Sequence, residues 1–137
     1  MVTTAGYSGT PLQRKLGFTP GMRAAFVGAP EGFSATLGEL PGDVEVRERL
    51  RRGMDLVVCF VRERRELERR LDRLREAIFP DGMLWVAWPK RGSGVATDMT
   101  ENVVREVALP VGLVDTKVCA IDATWSGLKL VVRKELR

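Results

Sequence analysis

The feature that most constrains this chain is the run DLVVCFV at residues 55–61, in which every side chain after the aspartate is apolar. A strand with one solvated face would alternate apolar with polar residues. An unbroken run of this kind predicts a central strand covered on both faces. Two further runs have the same character: RAAFVG at residues 23–28, flanked by turn formers, and MLWVAW at residues 83–88, closed by Pro89. Between the last two runs lies the clearest helix, residues 62–79, where Leu67, Leu71, Leu74 and Ile78 recur at helical spacing while Arg and Glu fill most other positions. Pro80, Asp81 and Gly82 end it.

The remaining elements follow from local chemistry. Pro30 and Glu31 suit the first turn of a helix, where a missing N–H costs little and a negative charge meets the positive dipole end; Phe33, Leu37 and Leu40 mark its inner face. A short second strand is predicted over residues 44–46. The link after it, residues 47–54, is shorter than the dozen residues of an ordinary parallel crossover, so either the link is extended or the strand is marginal. Asp98 and Glu101 have the spacing of a capping box for a helix bearing Val103, Val104 and Val107, which Pro110 stops. Residues 116–122 and 128–132 read as two strands joined through residues 123–127, a hairpin forming an antiparallel edge. Strands alternating with helices predict an α/β fold: a Rossmann-like three-layer sandwich on a mainly parallel sheet with right-handed crossovers. Residues 21–137 are expected to form this single domain. Residues 1–20, polar and rich in Gly, Thr and Pro, form an arm packed on it, with a piece at 11–16 too short to be a stable helix alone.

Composition removes whole classes of chemistry. There is no histidine, which excludes Ser/His and Cys/His nucleophile pairs, HExxH zinc sites and imidazole acid/base work. Cys59 and Cys119 each sit inside an apolar run and read as buried thiols of a reducing compartment, not as a disulfide or a metal site. No window approaches the roughly 20 apolar residues of a membrane helix, and MVTTAGYSGT lacks the features of a secretory signal, so a cytoplasmic location without membrane attachment is expected. With 22 basic and 18 acidic side chains the net charge is +4, enough to assist binding of phosphates without requiring it. The run RERRELERRLDRLRE invites a nucleic-acid reading, yet its acids fall three or four residues from its arginines, as Glu66 does from Arg70, and aromatics for stacking are missing from it. A solvated helix face is the expected reading, with nucleic acid disfavoured as a partner and a protein partner or homo-oligomer left open.

In an open parallel sheet, ligands bind beyond the carboxyl ends of the strands. The order of elements therefore selects residues 28–33, 62–65 and 89–98. The first supplies a helix start with free amides, the last supplies Lys90, Arg91 and two glycines, and together they suit an anionic or nucleotide-like group. The candidate binding residues are Gly28, Ala29, Pro30, Glu31, Gly32, Trp88, Lys90, Ser93, Thr97 and Asp98. Trp85 and Trp88 point to opposite faces of their strand; Trp88, at its end, is the one a planar ligand would stack on. Trp125 is either a packed corner or, if exposed, a partner contact. No catalytic acid/base pair and no metal site stands out.

The segments YSGTPLQRKLG (residues 7–17), WVAWPK (85–90), SGVATD (93–98) and TWSG (124–127) resemble a bacterial domain-of-unknown-function family. The order of LGFTPGMRAAFVGAPEG, DLVVCFV, the amphipathic helix ending IFPDGMLWVAWPK, and VGLVDTKVCAIDATWSGLKLVVRK is also similar, more distantly, to class I S-adenosylmethionine-dependent methyltransferases, shortened by one strand and helix pair. That resemblance implies S-adenosylmethionine as the cofactor. It aligns a GxGxG cofactor loop with Gly28, Ala29, Pro30, Glu31 and Gly32, and makes Glu45 or Glu48 the acid for the ribose hydroxyls. The middle glycine is proline here, whose ring adds bulk and whose nitrogen donates no hydrogen bond. The resulting expectation is a non-catalytic ligand-binding or regulatory module on a degenerate methyltransferase-like scaffold. The alternatives are an active small methyltransferase, with Asp98, Lys90 or Tyr7 orienting the acceptor, and a nucleic-acid-associated protein.

Overall fold

The computed structural model describes residues 10–137. Their strands form one six-stranded sheet: β1 (Arg23–Val27), β2 (Glu45–Arg47), β3 (Leu56–Phe60), β4 (Met83–Pro89), β5 (Leu113–Ala120) and β6 (Trp125–Val132), in the order β2-β1-β3-β4-β6-β5. Every residue of β3 is buried, as its unbroken apolar run requires. It lies between parallel neighbours, with Val57 opposite Ala25 of β1 on one side and Leu84 of β4 on the other.

Helices cover both faces, giving the three layers expected. On one face α1 (Leu12–Leu16) and α2 (Phe33–Leu37) bring Leu16, Phe33 and Leu37 onto Leu56, Val58 and Trp85. On the other, α3 (Arg64–Ile78) and α4 (Glu101–Ala108) bring Leu67, Leu71, Leu74 and Val104 onto Val57, Val86 and Trp88. The two tryptophans of β4 thus fill opposite cores, as strand alternation demands. Trp125 is a packed corner, its ring edge-to-face with Phe60 at 5.1 Å between centroids. Although α1 is a single turn, Leu16 is fully buried and the Trp85 indole Nε1 donates to its carbonyl at 2.8 Å, so tertiary contacts hold a helix that would not persist alone. Among the described residues no helix is long and apolar enough to cross a membrane.

Three local expectations need correction. The last helix begins at Glu101, not at an Asp98 cap: the Thr100 hydroxyl accepts the Val103 amide at 3.1 Å, because Asp98 is engaged by the start of α3. The C-terminal hairpin turns earlier and its strands are longer than expected. The Asp122 carboxylate accepts the Thr124 and Trp125 amides, both at 2.8 Å, which tightens the turn and draws Ser126 and Gly127 into the ladder. The hairpin forms the antiparallel edge expected, with β6 against β4 and β5 outermost. The second strand shifts by one residue to Glu45–Arg47, pairs in parallel with β1 and is exposed throughout. Its return to β3 contains no helix. An extended chain advances about 3.3 Å per residue against 1.5 Å in a helix, so a short link suffices when it stays extended. Leu50 packs against the α3 face and the Met54 amide donates to the Ala77 carbonyl at 2.8 Å on the way.

Trp85→Phe removes the buried donor to Leu16 and leaves that carbonyl unpaired in the core. It is expected to lower the unfolding free energy by about 1–3 kcal/mol with an unchanged denaturant m-value. A loss below about 0.5 kcal/mol in urea titration would mean that α1 is not anchored by this bond.

Candidate functional site

Because β1, β3 and β4 run in parallel, their carboxyl ends share one rim. The chain leaves β1 toward β2 in one direction and β3 toward β4 in the other, so the gap between β1 and β3 is the topological switch point of the sheet. Gly28 sits there with φ +68°, and a Cβ at this position would lie 2.9 Å from the Phe60 carbonyl oxygen and 3.4 Å from Nη1 of Arg70. Both the positive φ and the close approach require glycine.

Arg70 reaches this point from α3. Its Nη2 is 3.7 Å from Glu66 Oε2, while its Nη1 is buried and has no hydrogen-bond partner among the described residues. A buried guanidinium N–H without an acceptor is costly, and it lies against the loop where a ligand would approach. Cys59 lies beside it. Burial pushes this thiol from its ordinary value of about 9 up to about 11, with the Arg70 guanidinium opposing part of the rise. Burial also raises the Cys119 thiol. Both are free and inert, as expected of strand cysteines.

The loop after Gly28 offers few donors. Pro30 has none, and its carbonyl accepts the Phe33 amide at 3.1 Å. Gly32 adopts φ +88° before α2, whose five residues give it little dipole. Ala29, Glu31 and Gly32 are exposed. Phe33 then fixes the loop from below, its ring edge-to-face with Phe26 at 5.1 Å and Phe60 at 4.9 Å.

The second half of the expected site is used differently. The Asp98 carboxylate accepts the Arg64 amide at 2.7 Å and the Thr97 hydroxyl donates to the Arg62 carbonyl at 2.5 Å. Glu66 in turn accepts the Arg62 amide at 3.0 Å. Two carboxylates therefore already serve the start of α3, where an external anion would otherwise find free amides. The Ser93 hydroxyl accepts the Val95 amide at 3.3 Å within its own turn. The Lys90 amide donates to the Thr124 carbonyl at 2.7 Å, and its charge acts on Cys119, which places it toward the β5–β6 turn. Trp88 is buried in the α3 and α4 core. Among the described residues no hydrogen bond or ion pair joins the loop of residues 28–32 to residues 90–98. An open cleft of about 460 Å³ at the start of α3 is lined instead by Arg62, Glu63, Arg65, Glu66, Arg69 and Ala96. Tyr7 lies outside the described residues, and among those described no group of His, Cys, Asp and Glu is arranged to hold a metal ion.

Of the two candidate ribose acids, Glu45 opens β2 opposite Arg23, at the far rim, and is ion-paired with Arg47 at 2.6 Å. Glu48 follows the end of β2 at the correct rim. Arg70 is the residue that sequence reasoning missed, having been read only as a partner of Glu66. The available signal was its place on the helix, three residues after Leu67 and four before Leu74, at the border of the buried stripe.

Residues 15–134 match the family described as a protein of unknown function, DUF3052. No curated protein matches the chain. Among solved structures, a S-adenosylmethionine-dependent methyltransferase from Aquifex aeolicus superposes with a TM-score of 0.62 at 16% identity, covering 88% of each chain. The N-methyltransferase NodS from Bradyrhizobium japonicum does so with a TM-score of 0.58 at 11% identity over 90% of this chain and 91% of its own. An O-methyltransferase of neocarzinostatin biosynthesis, solved with S-adenosylmethionine and 2-hydroxy-5-methyl naphthoic acid, gives 0.62 at 16% identity over 82% of this chain and 49% of its own. The fold is thus that of S-adenosylmethionine-dependent methyltransferases, some of which are solved with the cofactor bound. The residues present here do not fit that cofactor in the GxGxG pose: Pro30 replaces the middle glycine and the Phe33 amide is already used.

Gly28→Ala should lower the thermal midpoint through strain and collision with the Phe60 carbonyl, a loss of at least about 1 kcal/mol; an unchanged midpoint in scanning calorimetry would disprove the close approach. For Cys59 the sign is fixed by the raised value. Below pH 9 the thiol is protonated in both states, and between pH 9 and 11 it ionises only when unfolded, so stability falls as pH rises. About 2–3 kcal/mol should be lost from this group by pH 11. Urea unfolding of the parent and of Cys59→Ala checks this, the variant lacking that part of the decline; parallel declines would refute it.

Proposed function

We propose that this chain, which belongs to the DUF3052 family of proteins of unknown function, is a ligand-binding module and not a methyl-transferring enzyme. On this reading the methyltransferase-like scaffold holds a small anionic, nucleotide-like group at the rim between β1 and β3. The observation that carries the proposal is Arg70, whose buried Nη1 has no partner among the described residues and lies against Gly28. A phosphate or carboxylate oxygen is the natural complement of such a donor, and the bond would be charge-assisted. Ala29, Glu31 and Gly32, which flank Pro30 on the same loop, are exposed.

The carboxylates nearest the rim support a binding role in preference to a catalytic one. Glu66 holds the Arg62 amide and faces Arg70, and Asp98 holds the Arg64 amide. Neither is left to act as a general base, and the chain has no histidine to take that role. Thr97 and Asp98 are instead assigned to fixing the wall of the site, Lys90 and Ser93 to its outer loop, and Trp88 to the core beneath it.

Arg70→Met separates this reading from a structural one. Removing an unsatisfied buried donor while keeping an apolar stem should leave stability unchanged or raise it by up to about 1 kcal/mol. In the parent, saturating pyrophosphate or adenosine monophosphate should raise the melting midpoint by roughly 5–10 °C, and the variant should lose that shift. No shift with either anion, or methyl transfer from S-adenosylmethionine to any acceptor, would overturn the proposal.

A further inference from the structure

The link from β2 to β3 crosses the α3 face without a helix, so the flank of α3 that a crossover helix would cover stays open. Into this opening the segment RERLRR places Arg49, Arg51 and Arg52, and α3 contributes Arg73. Together they line a groove of about 530 Å³ over Leu50 and Ala77. Its one carboxylate is Glu76, 3.5 Å from Arg52. Among the described residues the side chains of Arg49, Arg51 and Arg73 make no ion pair or hydrogen bond. This is not for want of acids elsewhere: Arg64 is paired with Glu68 and Glu106, and Arg105 with Glu101 and Asp115. Four guanidiniums thus line the groove against one carboxylate, with Glu48 in the hollow that adjoins Arg49 and Arg51, and an excess of positive charge of this kind favours a bound polyanion.

At one end the groove continues past Arg52 and Glu76 into a second hollow containing Phe79. This ring is 41% exposed and has the Arg75 guanidinium 5.6 Å from its centroid. A row of arginines spread over two chain segments suits a linear anion better than a single phosphate, and the guanidinium fork takes two phosphate oxygens at once. The exposed aromatic beside the row suits a base, and would have no counterpart in an acidic peptide. The feature is concave, with no helix or ribbon projecting to enter a duplex groove. We propose that this groove binds single-stranded nucleic acid, with Arg49, Arg51 and Arg73 on successive phosphates and Phe79 as a stacking platform at its end.

The test is fluorescence anisotropy with the full chain and a labelled oligothymidylate of about 15 nucleotides, titrated between about 50 and 200 mM salt. Saturable binding is expected, with the logarithm of affinity falling against the logarithm of salt at a slope that includes about −2 from three phosphate contacts. The triple replacement Arg49→Gln, Arg51→Gln, Arg73→Gln should weaken binding at least tenfold and flatten the slope by about 2. Removing the same charge with Lys117→Gln, Lys129→Gln and Arg133→Gln should leave affinity within about twofold, since those side chains lie outside the groove. Phe79→Ala should weaken binding at least fivefold with the slope unchanged. Apart from the half-buried Lys129, all of these are exposed side chains, so circular dichroism and the melting midpoint should match the parent. Absence of saturable binding at low salt, a groove variant that binds like the parent, or equal competition by polyglutamate of the same length would overturn the proposal.

Discussion

The structure depends on β3 being buried on both faces with its backbone fully engaged by β1 and β4. Because that strand cannot shift, the Phe60 carbonyl at its end is a fixed point, and the chain leaving β1 must pass it at a distance that only glycine allows. Gly28 therefore sets where the next loop begins, and the interlocked rings of Phe26, Phe33 and Phe60 set where it ends. The loop is held from both sides without any ligand, and its conformation is decided by core packing more than by cofactor contacts.

What the sequence made legible follows the strength of the periodic signals. The apolar runs of β1, β3 and β4 and the leucine stripe of α3 could be read almost to the residue, because burying them has no alternative that satisfies their backbone. Their order was enough to infer the three-layer sheet. Legibility failed where a polar side chain chose between two nearby amides. Asp98 was equally suited by spacing to cap the helix after it, yet it bonds Arg64, thirty-four residues away in the chain. Asp122 likewise moved the hairpin turn by capturing two amides at once. Such choices depend on three-dimensional proximity, which spacing along the chain does not encode.

The candidate site was legible as a place but not as a set of contacts. Topology alone located the rim, and Gly28 and Gly32 carry the positive φ angles expected of a ligand loop. The residue with the clearest unsatisfied demand, Arg70, is hidden among the arginines of a helix whose Glu and Arg stand at ion-pairing distance along the chain. Geometry separates them by their angle around α3. Leu67, Leu71 and Leu74 face the sheet, Arg64 and Arg75 lean to Glu106 and the Val111 carbonyl on one side, and Arg70 and Arg73 emerge on the other.

That division connects the two unusual surfaces of this protein to a single cause. A full crossover helix between β2 and β3 would pack along the open flank of α3, give Arg73 a neighbour, and lengthen the wall beside the rim. The link is extended instead, and an extended chain covers distance without supplying a helix face to pack. The flank stays open, the link itself carries arginines and not an apolar stripe, and Leu50 and Met54 close the core beneath it. An apolar flank exposed in this way would be an aggregation hazard, whereas a charged one is soluble and free to take a ligand. The absence of a helix between β2 and β3 among the described residues is thus also what leaves a basic surface along α3.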